Sequence, residues 1–269
     1  MPKLRLDLLL VERGLADSRS LAQRLVMAGQ VRVEGQVALK PSQEVAQEAL
    51  VDVERGPRFV SRGGEKLAAA LEAFQVDVRE KVCADVGAST GGFSDCLLQN
   101  GARRVYAIDV GKGQLHWKLR QDERVVVMED TNARFLSHLP ERVDIATIDA
   151  SFISLRLLLP VVKGWLAAGG EAGIAAGQII VLVKPQFEAG RELVRRGAGV
   201  IRDAQDHRQI LQEVLGFSQA AGFALSGLMR SPLRGPKGNV EFLAWLTLGQ
   251  EPEGQATEDL LNSLFDLTS

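Results

Sequence analysis

Residues 82–94, Val-Cys-Ala-Asp-Val-Gly-Ala-Ser-Thr-Gly-Gly-Phe-Ser, constrain the fold more than any other stretch. A short apolar run carries an aspartate at its end, breaks into a glycine-rich turn and re-emerges as an amphipathic segment. A parallel α/β sheet makes a nucleotide-sized crevice in this way at its first strand–helix junction. The glycines permit positive φ and close approach of the backbone to a ligand, and the following helix start leaves N–H groups unpaired. The same alternation continues downstream. Strands are predicted at 82–86, 104–109, 125–128, 144–149, 179–184, 224–230 and 242–248, with helical stretches around 92–100, 114–120, 154–166 and 203–221. Ile179-Ile180-Val181-Leu182-Val183 has no polar face, as a central strand covered on both sides requires. The expected fold is α/β, a doubly wound, Rossmann-like parallel sheet.

A smaller unit precedes it. Leu4, Leu6, Leu8, Leu9 and Leu10 begin an apolar helix that stops at Gly14, and Ala16-Asp17-Ser18 supplies an N-cap for a second helix ending at Gly29. Residues 31–37 alternate as a hairpin with Glu34-Gly35 at its turn, and Val51-Asp52-Val53 is a further short strand. The turn-rich Arg55-Gly56-Pro57-Arg58 marks the break. The expected division is a small α+β domain over 1–58, a linker over 59–64, the α/β domain over 65–249, and an acidic tail over 250–269 read as a loosely attached helix. The Gly/Ala-rich stretch 169–177 reads as a surface loop. Arg5, Arg13, Arg19, Arg24 and Arg32 decorate the small domain; a solvated face and a phosphate-binding face explain them equally well.

Composition narrows the function classes. The formal net charge of −2 gives no global attraction to nucleic acid, so any basic surface is local. Cys83 and Cys96, both in apolar contexts, read as buried thiols in a reducing compartment. Leu8-Leu9-Leu10-Val11 runs at once into Glu12-Arg13, unlike a signal peptide, and no run approaches the ~20 apolar residues of a membrane span. Cytoplasmic localisation is the expectation. Three histidines without ligand-like spacing give no metal site.

Four aspartates close successive strands at the edge where such a sheet binds ligands: Asp85, Asp109, Asp130 and Asp149. Each alone is compatible with a cap or turn; four in succession point to a cofactor. Asp109 is placed to accept from two ribose hydroxyls and Asp130 to reach an adenine amino group. The spacing D-x-G-x-x-x-G-G differs from the dinucleotide pattern and suits a ligand without a pyrophosphate, for which S-adenosyl-L-methionine is the candidate. Lys184 follows a fully apolar strand, where a lysine costs desolvation unless a partner compensates, although a lysine snorkelling at the strand end fits too. Lys66, early in a helix, is compatible with a solvated position, and Glu241 at the start of the last strand is unremarkable by itself.

Longer motifs sharpen this. Arg5-Leu6-Asp7, Val11-Glu12-Arg13-Gly14-Leu15, Ser18-Arg19, Ala28-Gly29-Gln30-Val31 and Lys40-Pro41 resemble the RNA-binding module shared by a small-subunit ribosomal protein and many pseudouridine synthases. Ser-Arg-Gly-Gly-x-Lys-Leu at 61–67, the 85–93 turn, Asp-Ala-Ser-Phe-Ile-Ser-Leu at 149–155, Val-Lys-Pro-Gln-Phe-Glu at 183–188 and Gly-Pro-Lys-Gly-Asn-Val-Glu-Phe at 235–242 follow in order. From about residue 3 to 248 the chain resembles the hemolysin A (TlyA) family of ribosomal RNA 2′-O-methyltransferases. That resemblance implies an FtsJ-like methyltransferase domain, ribosomal RNA or ribosomal subunits as partner, and a catalytic tetrad of Lys66, Asp149, Lys184 and Glu241. It implies a cofactor site of Asp85, Gly87, Ser89, Thr90, Gly91, Gly92, Phe93, Asp109 and Asp130, and RNA contacts from Arg5, Arg19, Arg24 and Arg32. Lys184 would take the proton from a ribose 2′-hydroxyl, activated by burial and the like charge of Lys66, with the two carboxylates orienting the amines. The competing readings are a non-catalytic ribosome-assembly factor and a membrane-active hemolysin. A pseudouridine synthase would share the small domain, but the glycine-rich turn does not fit its catalytic domain.

Overall fold

The computed structural model describes residues 2–54, 56–168, 176–249 and 257–266, and its internal contacts divide the chain into units 1–58 and 59–269. In the small unit, β1 (Lys3–Arg5) runs directly into α1 (Leu6–Glu12), so Leu4 lies on a strand and not on the helix expected from the leucine run. Leu6, Leu9 and Leu10 follow helical spacing onto the core. Ser18 caps α2 (Arg19–Met27), its hydroxyl accepting from the Leu21 amide at 3.2 Å. β2 (Val31–Val33) and β3 (Gln36–Val37) form the hairpin, with Glu34 and Gly35 at φ +50° and +78°, as a tight turn matched to strand twist requires. β4 (Glu44–Ala46) pairs with β1, and β5 (Val51–Val53) pairs with β2.

The large unit begins with α3 (Gly63–Phe74), then alternates β6 (Val82–Val86), α4 (Gly92–Gln99), β7 (Arg104–Ile108), α5 (Trp117–Arg120), β8 (Val125–Met128), β9 (Ile145–Ile148), α6 (Leu155–Lys163) and β10 (Gln178–Val183). Two short helices, α7 (Pro185–Glu188) and α8 (Arg191–Arg196), precede α9 (Ala204–Ala220), β11 (Phe223–Arg230), β12 (Phe242–Leu248) and α10 (Thr257–Asp266). The sheet order is β11-β12-β10-β9-β6-β7-β8. Alternate residues of its central strands enter opposite cores. Ala84, Ala146, Ile179 and Val181 pack with α6 and α9, whereas Cys83, Ile145, Ile180 and Leu182 pack with α3 and α4. Hence the uninterrupted apolar runs.

Four expectations need correction. The sheet is not wholly parallel: β12 runs antiparallel to both neighbours, because the chain returns from β11 without a crossover helix. Residues 59–64 are not a linker. Phe59 is 2% exposed in the α3/α4 core, and a Cβ on Gly64 would sit 2.3 Å from its ring. The Val60 amide donates to buried Asp95 Oδ2 at 2.8 Å. The tail helix is not loosely attached either, since Leu261 is fully buried and α10 packs on α9 and β11. The helix expected over 114–120 shrinks to Trp117–Arg120, because Glu129 holds the amides of Gly113, Gln114 and Leu115 in a loop. Residues 169–175 of the expected Gly/Ala loop lie outside the described residues. Among the described residues no helix is long and apolar enough to cross a membrane.

Candidate active site

The parallel strands β6, β7, β9 and β10 bring Asp85, Asp109, Asp149 and Lys184 to one edge of the sheet. Reversal of β12 adds the fifth member. Because β12 runs the other way, its first residues lie at that same edge, and the Val183–Phe242 pairing sets Glu241 beside Lys184 in register. Lys66, in the first turn of α3, completes the group.

These side chains form two ion pairs. Lys66 Nζ donates to Glu241 Oε2 at 2.5 Å, with Glu241 1% exposed. Lys184 Nζ lies 2.6 Å from Asp149 Oδ1, but that buried oxygen is not aligned with any donor; the aligned bond from Nζ goes to Ser151 Oγ at 2.9 Å. Around them open three cavities. One, about 290 Å³, is bordered by Lys66, Gly87, Thr90, Phe93, Asp149 and Lys184. A second, about 320 Å³, lies between Val86, Ile108, Asp109, Asn132, Ala133 and Leu158. The third, about 550 Å³ and more apolar, has Phe152, Lys184, Gln186, Phe187 and Glu241 on its walls.

The second cavity has the size and lining of a nucleoside site, with apolar walls and polar groups that include Asp109, Gln114 and Asn132. Asp109 Oδ2 accepts from the Ser89 amide at 2.8 Å and Oδ1 from the Gly111 amide at 2.7 Å, leaving lone pairs on both oxygens for hydroxyl donors. Gly87, Ser89, Thr90, Gly92 and Phe93 all border the crevices. Gly87 does more than admit a ligand: at φ +85°, a Cβ there would stand 2.7 Å from the Asp149 carbonyl oxygen, so the ends of β6 and β9 close on each other only through a glycine.

Three expected cofactor residues stand away from the cavities. Asp85 is fully buried inside β6 and accepts from the Ser94 amide and hydroxyl at 2.9 and 2.7 Å and from the Thr147 hydroxyl at 3.2 Å. It ties the glycine turn to α4 and β9. Burial pushes its carboxyl up to about 7, against the opposing effect of the Ser94 hydrogen bonds. Asp130, at φ +54°, is exposed, and Thr131 and Asn132 take the places beside the cavity. Gly91 is buried behind the turn, where a Cβ would meet Leu119. Sequence reasoning also passed over Ser151, Gln114 and Glu129, the last held at about 2 chiefly by Arg120 and by the loop amides. Ser151 belongs to the Asp149–Leu155 motif, in which the aspartate alone carries an expected role.

In the small unit, Arg5 and Arg19 converge with Gln23 on buried Asp7, so both are anchored at one end. Arg5 holds that carboxyl well below the usual range. Arg32 faces Glu54 at 3.7 Å. Arg24, in the last turn of α2, is exposed. Arg13 is structural, donating to the Gln47 and Ala49 carbonyls.

A doubly wound sheet with a nucleoside-sized crevice beside two lysine–carboxylate pairs defines a methyltransferase of the α/β class, and the comparisons agree. The FtsJ-like methyltransferase model matches residues 59–248, and the S4 domain model matches residues 4–51. The chain belongs to the FtsJ-like methyltransferase family, in the TlyA branch that carries an N-terminal S4 domain. It is 48% identical to Bacillus subtilis YqxC, provisionally named an rRNA methyltransferase, over 96% of this chain and 92% of that one. It is 46% identical to the 16S/23S rRNA (cytidine-2′-O)-methyltransferase TlyA of Mycobacterium tuberculosis, over 90% and 89%. A solved structure from Streptococcus thermophilus, provisionally called a hemolysin, superposes with a TM-score of 0.71 at 42% identity, covering 97% of this chain and 94% of that one. The methyl donor of this enzyme is S-adenosyl-L-methionine.

Proposed function

We propose that the chain methylates the 2′-hydroxyl of a cytidine ribose in ribosomal RNA, as the name of its Mycobacterium tuberculosis relative describes for that protein. The observation that carries this reading is the placement of Lys184: it borders the larger third cavity and also the glycine-lined crevice, which adjoins the nucleoside cavity through Gly87, Ser89 and Asp149, so one amine stands between the two. Asp109, Gly87, Ser89 and Asn132 would hold the cofactor. Bound there, S-adenosyl-L-methionine supplies an electrophilic methyl group whose sulfonium sulfur leaves as a neutral thioether.

The remaining chemistry falls to the chain. A ribose hydroxyl is a poor nucleophile near neutral pH and needs a base within hydrogen-bond reach. Lys184 would accept its proton as the oxygen forms its bond to carbon, and Asp149 lies 2.6 Å away to stabilise the ammonium that results. The Lys66–Glu241 pair fixes the start of α3 against β12 and keeps a second cation near the acceptor oxygen. In the small unit, Arg24 together with the exposed parts of Arg5, Arg19 and Arg32 contributes phosphate contacts of low sequence specificity. The test is incubation of isolated ribosomal subunits with labelled cofactor, followed by mapping of the modified nucleotide. Label on a base, or none on RNA, would sink the proposal.

A further inference from the structure

Ser151 borders each of the three cavities and accepts a hydrogen bond from Lys184, outside the lysine–carboxylate tetrad. Its loop is held from several sides. The Asp149 amide donates to the Val86 carbonyl at 2.9 Å, and Glu188 receives the Ser154 hydroxyl at 2.6 Å and the Leu155 amide at 2.8 Å. Between these anchors Phe152 sits at φ +63°, a conformation that costs a non-glycine residue energy and persists only where its surroundings enforce it. Its ring packs on Phe187 at 4.9 Å, while Phe187 itself lies 5.9 Å from the Lys184 amine. The serine is therefore presented by an exposed, strained turn whose two ends are anchored.

Geometry at Nζ gives that placement a purpose. Beyond its own carbon, an amine nitrogen has three tetrahedral directions for N–H groups or a lone pair. Ser151 takes one in good alignment, and Asp149 lies close but off the line of the bonds. We propose that Ser151 is a positioning residue of methyl transfer: its hydroxyl holds the Lys184 amine turned away from full engagement with Asp149, leaving one direction open for the acceptor hydroxyl. This inference rests on the reading of Lys184 as the base. Other charged groups around Lys184 are Lys66 and Arg62 on the α3 side, Glu241 at β12, and Arg234 and Lys237 from the connection before it. Among the described residues none of them hydrogen-bonds Nζ, so loss of Ser151 leaves Asp149 as the group that captures it.

The experiment uses the full chain as wild type, Ser151→Ala and Ser151→Thr. Methyl transfer to ribosomal subunits is followed against pH, and acetylation of Lys184 by acetic anhydride without RNA is followed by mass spectrometry. For Ser151→Ala, kcat should fall on the order of tenfold to a hundredfold. Cofactor affinity should stay within about twofold. Both the rise of kcat with pH and the onset of Lys184 acetylation should move to higher pH, as a tighter pair with Asp149 demands. Ser151→Thr should restore transfer and both profiles. Wild-type kcat in Ser151→Ala, or a loss of kcat with an unmoved acetylation profile, overturns the proposal. If the alanine variant also loses cofactor binding, the threonine variant decides: recovery of rate and both profiles supports it, and an inactive, cofactor-binding protein overturns it. A wild-type protein that methylates no ribose removes the base reading and this inference together; an active wild type with an indifferent Ser151→Ala removes the serine alone.

Discussion

Lys66 and Lys184 each hold a carboxylate oxygen within 2.6 Å, yet the two pairs are built for different ends. Lys66 and Glu241 share an aligned bond between nearly inaccessible groups, and a Cβ on Gly235 would press within 2.5 Å of the other glutamate oxygen. Lys184 and Asp149 are close but misaligned, the aspartate side chain is 22% exposed, and a serine competes for the amine. An aligned bond between buried partners makes a strut; a misaligned contact with a competing hydroxyl leaves a reactive group. The same contrast separates Asp85, whose oxygens are taken by Ser94 and Thr147, from Asp109, which keeps capacity for a ligand. It also separates Arg19, anchored on Asp7, from exposed Arg24.

The largest expected effect breaks the comparison on its reactive side. Lys184→Ala should reduce single-turnover methyl transfer by on the order of a hundredfold to ten-thousandfold, with cofactor affinity by calorimetry close to wild type. A fully active variant would make Lys66 the better candidate base. On the other side, Lys66→Met leaves Glu241 buried without its cation and should cost about 3–5 kcal/mol in urea unfolding. Adding Glu241→Leu should return most of that stability without returning activity. A stability loss as large in Lys184→Met as in Lys66→Met would erase the distinction between the pairs.

Smaller effects sharpen it. Arg24→Gln should weaken RNA binding evenly across sequences and lower the slope of log affinity against log salt by about 1. Arg19→Gln should also lower the melting temperature, because Asp7 loses one of its cations. The smallest effect concerns Asp85. Its carboxyl is raised from 3.8 to about 7 in the folded chain, so the native state holds a proton that the unfolded state releases between those values. This stabilising contribution is complete below the unfolded value and fades as pH rises through about 7. Asp85→Asn cannot titrate, so its stability relative to wild type should rise over that interval in urea melts; a constant difference would contradict the burial argument.

Much of the fold was legible because a doubly covered strand has no polar face, and runs such as Ile179–Val183 allow few other placements. Strand direction was harder to read. The alternation that marks β12 is the same whichever way it runs, and only the lack of a helical pattern between Arg230 and Phe242 carried the information. The two lysines and their carboxylates were placed by motif, since nothing local distinguishes Glu241 from any acidic residue opening a strand. Asp85 and Asp130 lie off the described cavities for a shared reason. Position at a strand end fixes a Cα, whereas the side chain's destination depends on a backbone angle in Asp130 and on two hydroxyl donors in Asp85. Residues 59–64 read as linker because glycine and arginine are common in loops; their burial depends on Phe59 finding the surface of Gly64.

The lack of room for a Cβ between Gly87 and the Asp149 carbonyl bears on inheritance as well as chemistry. A mutation to alanine there would shift the loop that carries Asp149 and Ser151 without touching a charge. Random alleles that lose the enzyme should therefore include side chains added to the turn as readily as changes to its lysines. A survey of variants that inspects ionisable positions alone would overlook them.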